Sequence, residues 1–195
     1  MTVTPLDLVF GWAALLSAVA TLGTFGTSIL FFAVNPSFGK INDAVSVVQA
    51  VLMLPVAVAM ALLTHPVNGM LALLALVVGS LAMVVTAVLQ VLLVFGRVRF
   101  EQTIGAVLAA GAAMGLWFIL SNALAGAGGP LPWGLVAWGI AAGIGYLLAA
   151  VGFHRGGQHH PLFYAGGLLV IVGYTIWAVW LGCLLLTGAL LTAAI

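Results

Sequence analysis

Only seven side chains among the 195 residues are Asp, Glu, Lys or Arg, and their positions constrain the fold more than any other feature. They are Asp7, Lys40, Asp43, Arg97, Arg99, Glu101 and Arg155. Between them run uncharged intervals at 8–39, 44–96, 102–154 and 156–195. A soluble domain carries roughly a quarter charged residues, against 4% here, with 65% hydrophobic residues. Such a chain cannot clothe itself in a solvated surface. A bilayer lifts that requirement, because a spanning helix needs about 20 apolar residues and no polar exterior.

The intervals then count the spans. The first and last each hold one helix, and each 53-residue interval holds two helices and a short turn. The turns are visible as Thr64-His65-Pro66-Val67-Asn68-Gly69 and Gly126-Ala127-Gly128-Gly129-Pro130-Leu131-Pro132, clusters of residues that interrupt helices. The expected fold is an all-α, polytopic membrane helix bundle of about six transmembrane helices, a single domain over 1–195. The spans fall at about 8–33, 44–64, 70–95, 104–124, 133–153 and 164–190.

Six spans put the loops around Lys40, Arg97/Arg99 and Arg155 on one side, and the termini with the uncharged turns on the other. Short loops rich in Lys and Arg stay cytoplasmic. The orientation expected is therefore both termini outside and the three basic loops inside, in a multipass protein of the cell inner (plasma) membrane. The apolar run from Leu8 to Val34 lacks a basic leader and is too long for a signal-peptide core, so it reads as a retained helix. Cys183 is the one cysteine, which excludes an intrachain disulfide. No basic patch large enough for nucleic acid exists.

Helices in lipid associate through small residues that let backbones approach. Gly111 and Gly115 form one such GxxxG pattern, and Gly139 and Gly143 another, on consecutive helices joined by a short turn. They predict a tight hairpin of the fourth and fifth helices, with a homodimer face as the alternative. His65-Pro66 and His160-Pro161 recur 95 residues apart before helices 3 and 6. That echo leaves open an inverted repeat of three-helix halves, as in many transporters.

Polar groups within a membrane are the best pointers to function. No Asp, Glu, His, Lys or Arg is expected in mid-membrane here, which argues against proton pumps and voltage sensors. Thr24, Thr27, Gln49, Gln90 and Tyr146 fall at one depth, toward the basic loops, and could line a polar cavity for a neutral solute or headgroup. The plainer expectation is a Gln49–Gln90 hydrogen bond between helices 2 and 3. Pro55 breaks the backbone ladder of helix 2 at the Val51 carbonyl and is a candidate gate. Ser121 and Asn122 read as cap and loop residues, and Asp43 as a cap on helix 2. Trp117, Trp177 and Trp180 lie deep and read as packing. His154, His159 and His160 share one loop without Cys or a nearby carboxylate, so no metal site is expected. No catalytic or cofactor-binding residue is assigned.

Gly39-Lys40-Ile41-Asn42-Asp43 leads into Leu52-Met53-Leu54-Pro55, and Leu131-Pro132-Trp133 into Trp138-Gly139 and Gly143-Ile144-Gly145-Tyr146-Leu147-Leu148. With Trp177-Ala178-Val179-Trp180-Leu181-Gly182, this set resembles small, uncharacterised multipass proteins of bacterial inner membranes. The resemblance implies an inner-membrane location and supplies no activity or site residue. The leading expectation is a non-enzymatic structural or accessory subunit. It would meet the lipid bilayer and other membrane proteins or a second copy of itself. The alternative is a small carrier or channel for a neutral or amphipathic solute.

Overall fold

The computed structural model describes residues 3–190. The two ends of the chain, whose side of the membrane the charge pattern predicts, lie outside the described residues. Six long helices fill the rest: α1 Pro5–Ala33, α2 Gly39–Thr64, α3 Gly69–Val94, α4 Phe100–Gly126, α5 Trp133–Gly156 and α6 Pro161–Leu186. Each is long and apolar enough to cross a membrane. The shortest runs 24 residues, about 36 Å at the α-helical rise, against a hydrocarbon core of about 30 Å. The apolar exterior matches. α3 presents Leu73, Leu74, Val77, Leu81, Val84 and Val88 outward, a surface that lipid tolerates and water does not. The protein is a polytopic membrane helix bundle.

Local chemistry sets the helix starts. Thr4 caps α1 ahead of Pro5, and its backbone N–H donates to the Asp7 carboxylate at 2.8 Å. Asn68 Oδ1 accepts from Leu71 N at 3.0 Å to begin α3. His160 Nδ1 accepts from Leu162 N at 3.2 Å at the start of α6, with Pro161 as the first helical residue. The His-Pro echo therefore does not extend to its chemistry: His160 caps a helix, whereas His65 ends α2 and Asn68 does the capping of α3.

α2 begins five residues earlier than its expected start at 44, and Asp43 is not its cap. A single 3₁₀ turn, Pro36–Phe38, feeds the helix with Phe38 already helical in backbone (φ −69°, ψ −11°). A side-chain cap needs an extended residue at that point, so Asp43 falls inside the helix. Asn42 ties this end to α1 instead, accepting from Ser28 Oγ at 2.8 Å and Thr27 Oγ1 at 3.1 Å.

The helices form a closed ring in chain order. Each packs on the next, and α6 returns to α1. The ring is filled unevenly. Toward the end with the uncharged turns, the centre is solid with Met60 and Leu63 of α2, Trp117 and Phe118 of α4, and Trp177 and Leu181 of α6. Phe118 meets Trp177 edge-on at 5.1 Å, and Trp117 lies 4.4 Å from Phe118. Trp117 and Trp177 thus pack as expected, while Trp180 lies at the rim over Gly134.

The fourth and fifth helices make the hairpin that their glycines predict. A Cβ on Gly115 would lie 2.7 Å from the Gly143 carbonyl oxygen, and one on Gly143 equally close to that of Gly115. Gly139 seats the Asn122 side chain, whereas Gly111 has only ordinary contact, 3.9 Å from the Tyr146 ring. α5 continues the device on its other side. Gly145 and Gly152 approach the α6 backbone, and Gly166 of α6 sits against the Ala149 backbone.

Candidate functional site

Asn122 and Ser121 are neither cap nor loop. Both are buried inside α4, which runs on to Gly126. The Asn122 amide donates to the Phe118 carbonyl at 2.9 Å and accepts from Trp177 Nε1 at 2.9 Å. That network staples α4 to α6 across the notch left by Gly139 of α5. A second staple joins α6 to α1: Tyr174 Oη donates to Ser17 Oγ, which itself donates to the Ala14 carbonyl at 2.8 Å. Both belong to the packed half of the ring.

Beyond the Tyr174–Ser17 staple, toward the basic loops, the centre opens into a cavity of about 650 Å³. Four helices supply these polar groups, Thr21 and Thr24 from α1, Gln49 from α2, Thr86 and Gln90 from α3 and Tyr146 from α5, and α4 adds the apolar Met114. None of its described lining residues is Asp, Glu, His, Lys or Arg. The volume lies within the range typical of small-molecule sites, about 300–1,000 Å³.

The wall has two chemically different sides. On the α1/α2 side the polar groups are mutually satisfied. Gln49 Nε2 donates to Thr21 Oγ1 at 2.7 Å, Thr24 Oγ1 donates to Gln49 Oε1 at 3.3 Å, and Thr21 donates to the Ser17 carbonyl at 2.9 Å. On the α3 side, Thr86 Oγ1 and Gln90 Oε1 are buried and hydrogen-bond to no protein group. Gln49 and Gln90 do not bond each other. The α1–α2 interface turns Gln49 toward the threonines and leaves Gln90 in the cavity wall beside Thr86, with its Oε1 covered and unpaired.

Four of the five cluster residues read from the sequence, Thr24, Gln49, Gln90 and Tyr146, line this space. Thr27 does not. Its hydroxyl donates to the Gly23 carbonyl at 2.8 Å and to Asn42, on the helix face beside the α1–α2 loop. Pro55 does not line it either, and α2 stays helical through that position. Tyr146 stacks on Phe118 at 6.0 Å, joining the cavity to the aromatic core.

Sequence reasoning passed over Thr21, Ser46 and Thr86. A signal for each was present at helical spacing. Thr86 precedes Gln90 by one turn, Ser46 precedes Gln49 by three residues, and Thr21, Thr24 and Ser28 recur along α1. It also passed over α6, which lines the cavity with Phe163, Tyr164, Leu168 and Ile171, Tyr164 supplying its one polar group there.

Asp7 is a further buried group, fully enclosed at the opposite end of the bundle. One of its oxygens is spent on Thr4 and the other is without a hydrogen-bond partner. Comparison with protein-family models, curated proteins and solved structures finds no match for this chain.

Proposed function

We propose that this protein binds a neutral amphipathic molecule in the membrane-embedded cavity, as a small carrier or channel whose basic loops face the cytoplasm of an inner-membrane host. The observation that carries the reading is the pairing of Thr86 and Gln90. Thr86 and Gln90, one helical turn apart, line a space large enough for a ligand, and each holds an oxygen without a protein partner that lies buried just behind the cavity wall, within reach of a side-chain rotation. An unpaired polar group out of water costs about 1–3 kcal/mol. A hydroxyl or carbonyl on a bound molecule would offset that cost. The absence of charge from the described lining argues for a neutral headgroup, since an ion there would have no counter-charge.

An accessory-subunit role draws mainly on the glycine faces, and Gly115, Gly139 and Gly143 are occupied inside the bundle. That weakens the case for a docking face and favours binding. Among the described lining residues no nucleophile is paired with a base, so binding or passage fits better than chemistry.

The test is thermal unfolding of the purified protein in nanodiscs with 1-monooleoylglycerol, 1-decanol or oleate added. The neutral compounds should raise Tm by several degrees near saturation, as expected for stabilisation of about 2–3 kcal/mol. Oleate should do less, and the double variant Thr86→Val/Gln90→Leu should lose the response. An unchanged Tm with both neutral compounds, or an equal response in the double variant, would sink the reading.

A further inference from the structure

The ring has one incomplete seam. α1 packs along Thr175–Leu186, the second half of α6, and meets the segment Val170–Tyr174. It does not pack along Pro161–Leu169, the first half, whose packing is against α5. The change of partner falls at Val170–Tyr174, a single π-helical turn. Such turns mark places where a helix departs from its regular path, often at functional sites. The glycine notches explain why the first half stays with α5: Gly152 and Gly166 hold the two backbones in contact.

At this seam the cavity wall is mostly aromatic and aliphatic, with side chains that are also exposed in the bundle. α1 contributes Phe25, Ile29 and Phe32, and α6 contributes Tyr164 and Leu168. Leu168 is 61% exposed and Ile29 48%. These residues lie on membrane-spanning helices. In ring order α3, which carries Thr86 and Gln90, stands across the bundle from the α1–α6 seam. The unpartnered polar groups therefore stand across the cavity from this mainly apolar seam.

We propose that the cavity opens sideways into the bilayer between α1 and the first half of α6, and that it takes a lipid-borne, neutral, single-chain amphipath head first. This rests on the cavity being a binding site and adds the route and the ligand class. The hydroxyl or carbonyl head reaches Thr86 and Gln90, and the chain lies across Phe25, Ile29 and Leu168 toward lipid. A ligand arriving from water would favour a polar mouth, and the wall at this seam is mainly aromatic and aliphatic, the Ser28 hydroxyl there being spent on Asn42.

Gly167 provides the control within the same wall. It lines the cavity, and a Cβ there would meet nothing within 4 Å. Gly167→Phe should fill the mouth while the helix packing stays intact. Gly26→Phe, at a site on α1 that also has open space and does not line the cavity, is its counterpart.

The experiment uses nanodiscs and 1-monooleoylglycerol as the probe. On a Cys183→Ser background, a nitroxide at Leu168→Cys or Ile29→Cys reports collisions with oxygen, which partitions into lipid, and with a water-soluble nickel chelate. Oxygen collisions should dominate at both positions, and the probe should slow the label at Leu168. Gly167→Phe should weaken binding of the probe by about tenfold or more, with Gly26→Phe unchanged within about twofold. Dominant nickel collisions would overturn the lateral route, as would unimpaired binding by a folded Gly167→Phe. If Gly167→Phe does not fold, the collision measurement decides alone. Failure of the route leaves the wild-type Tm response to 1-monooleoylglycerol in place, whereas failure of the site removes it.

Discussion

Asn122 shows how much one amide can do in a bundle with so little polarity. One of its two hydrogen bonds returns to the Phe118 carbonyl within α4, and the other reaches past α5 to the Trp177 indole of α6. Truncation would leave the Trp177 indole N–H buried and unpaired. Interhelical bonds in membranes contribute only about 0.6 kcal/mol on average when measured as pairs. An orphaned donor costs more, about 1–3 kcal/mol, so the orphan decides the outcome. Asn122→Leu should therefore lower stability in detergent by about that amount. The same change on a Trp177→Phe background should cost clearly less, because no donor is left behind. Equal costs in both backgrounds would mean that packing, not hydrogen bonding, is what Asn122 supplies. The Gln pair makes the complementary point. Gln49 and Gln90 are chemically identical and lie at similar depth, yet one is satisfied by threonines and the other is not. Residue type could flag both but could not distinguish them, since the difference comes from which neighbour each helix presents.

Among the helices, α5 is organised by glycine on two faces. Gly139 and Gly143 receive α4, and Gly145 and Gly152 receive α6. The GxxxG spacing made the first face legible. The second was hidden, because its partner Gly166 lies on a helix with no such pattern against it. Two neighbouring pairs test this reading. Gly115→Ala would push a methyl to 2.7 Å from the Gly143 carbonyl, while Gly111→Ala would meet only Tyr146 at 3.9 Å. Gly166→Ala would come within 2.3 Å of Ala149 N, while Gly167→Ala would meet nothing within 4 Å. Overpacking of this kind costs about 1–3 kcal/mol, so Gly115→Ala and Gly166→Ala should each lower Tm and Gly111→Ala and Gly167→Ala should not. Melting of the four variants checks this. A uniform response across each pair would mean that helix propensity, not interhelical distance, governs these sites. The start of α2 belongs here too: a 3₁₀ turn displaced a cap that residue identity favoured, because capping depends on backbone conformation as well as on an acid at the right place.

For the bundle as a unit, the charge asymmetry makes a directional prediction. Alternation of six spans puts Ser37 and His159 at one end, and Pro66 and Ala127 at the other. With Cys183 replaced by Ser, single cysteines at Ser37 or His159 should resist a membrane-impermeant maleimide in intact cells. Cysteines at Pro66 or Ala127 should react, as the placement of basic loops in the cytoplasm requires. The reverse pattern would turn the protein over in the membrane and put the cavity on the external side.

The number of helices and their turns could be read from the chain alone, because an ionised side chain is too costly in hydrocarbon to sit anywhere but at a span's end. Charge spacing therefore works as a ruler, and the six helices follow it closely. The hairpin of α4 and α5 was legible for a related reason: small residues at four-residue spacing permit close approach whatever the partner. The cavity, the α1–α6 seam and the fates of the two glutamines were not. In water, a helix advertises its inward face by alternating apolar and polar residues. In lipid the outward face is as apolar as the inward one, so the rotation of each helix and the seam left unpacked are set by side-chain fit between helices. That fit exists only once all six are assembled.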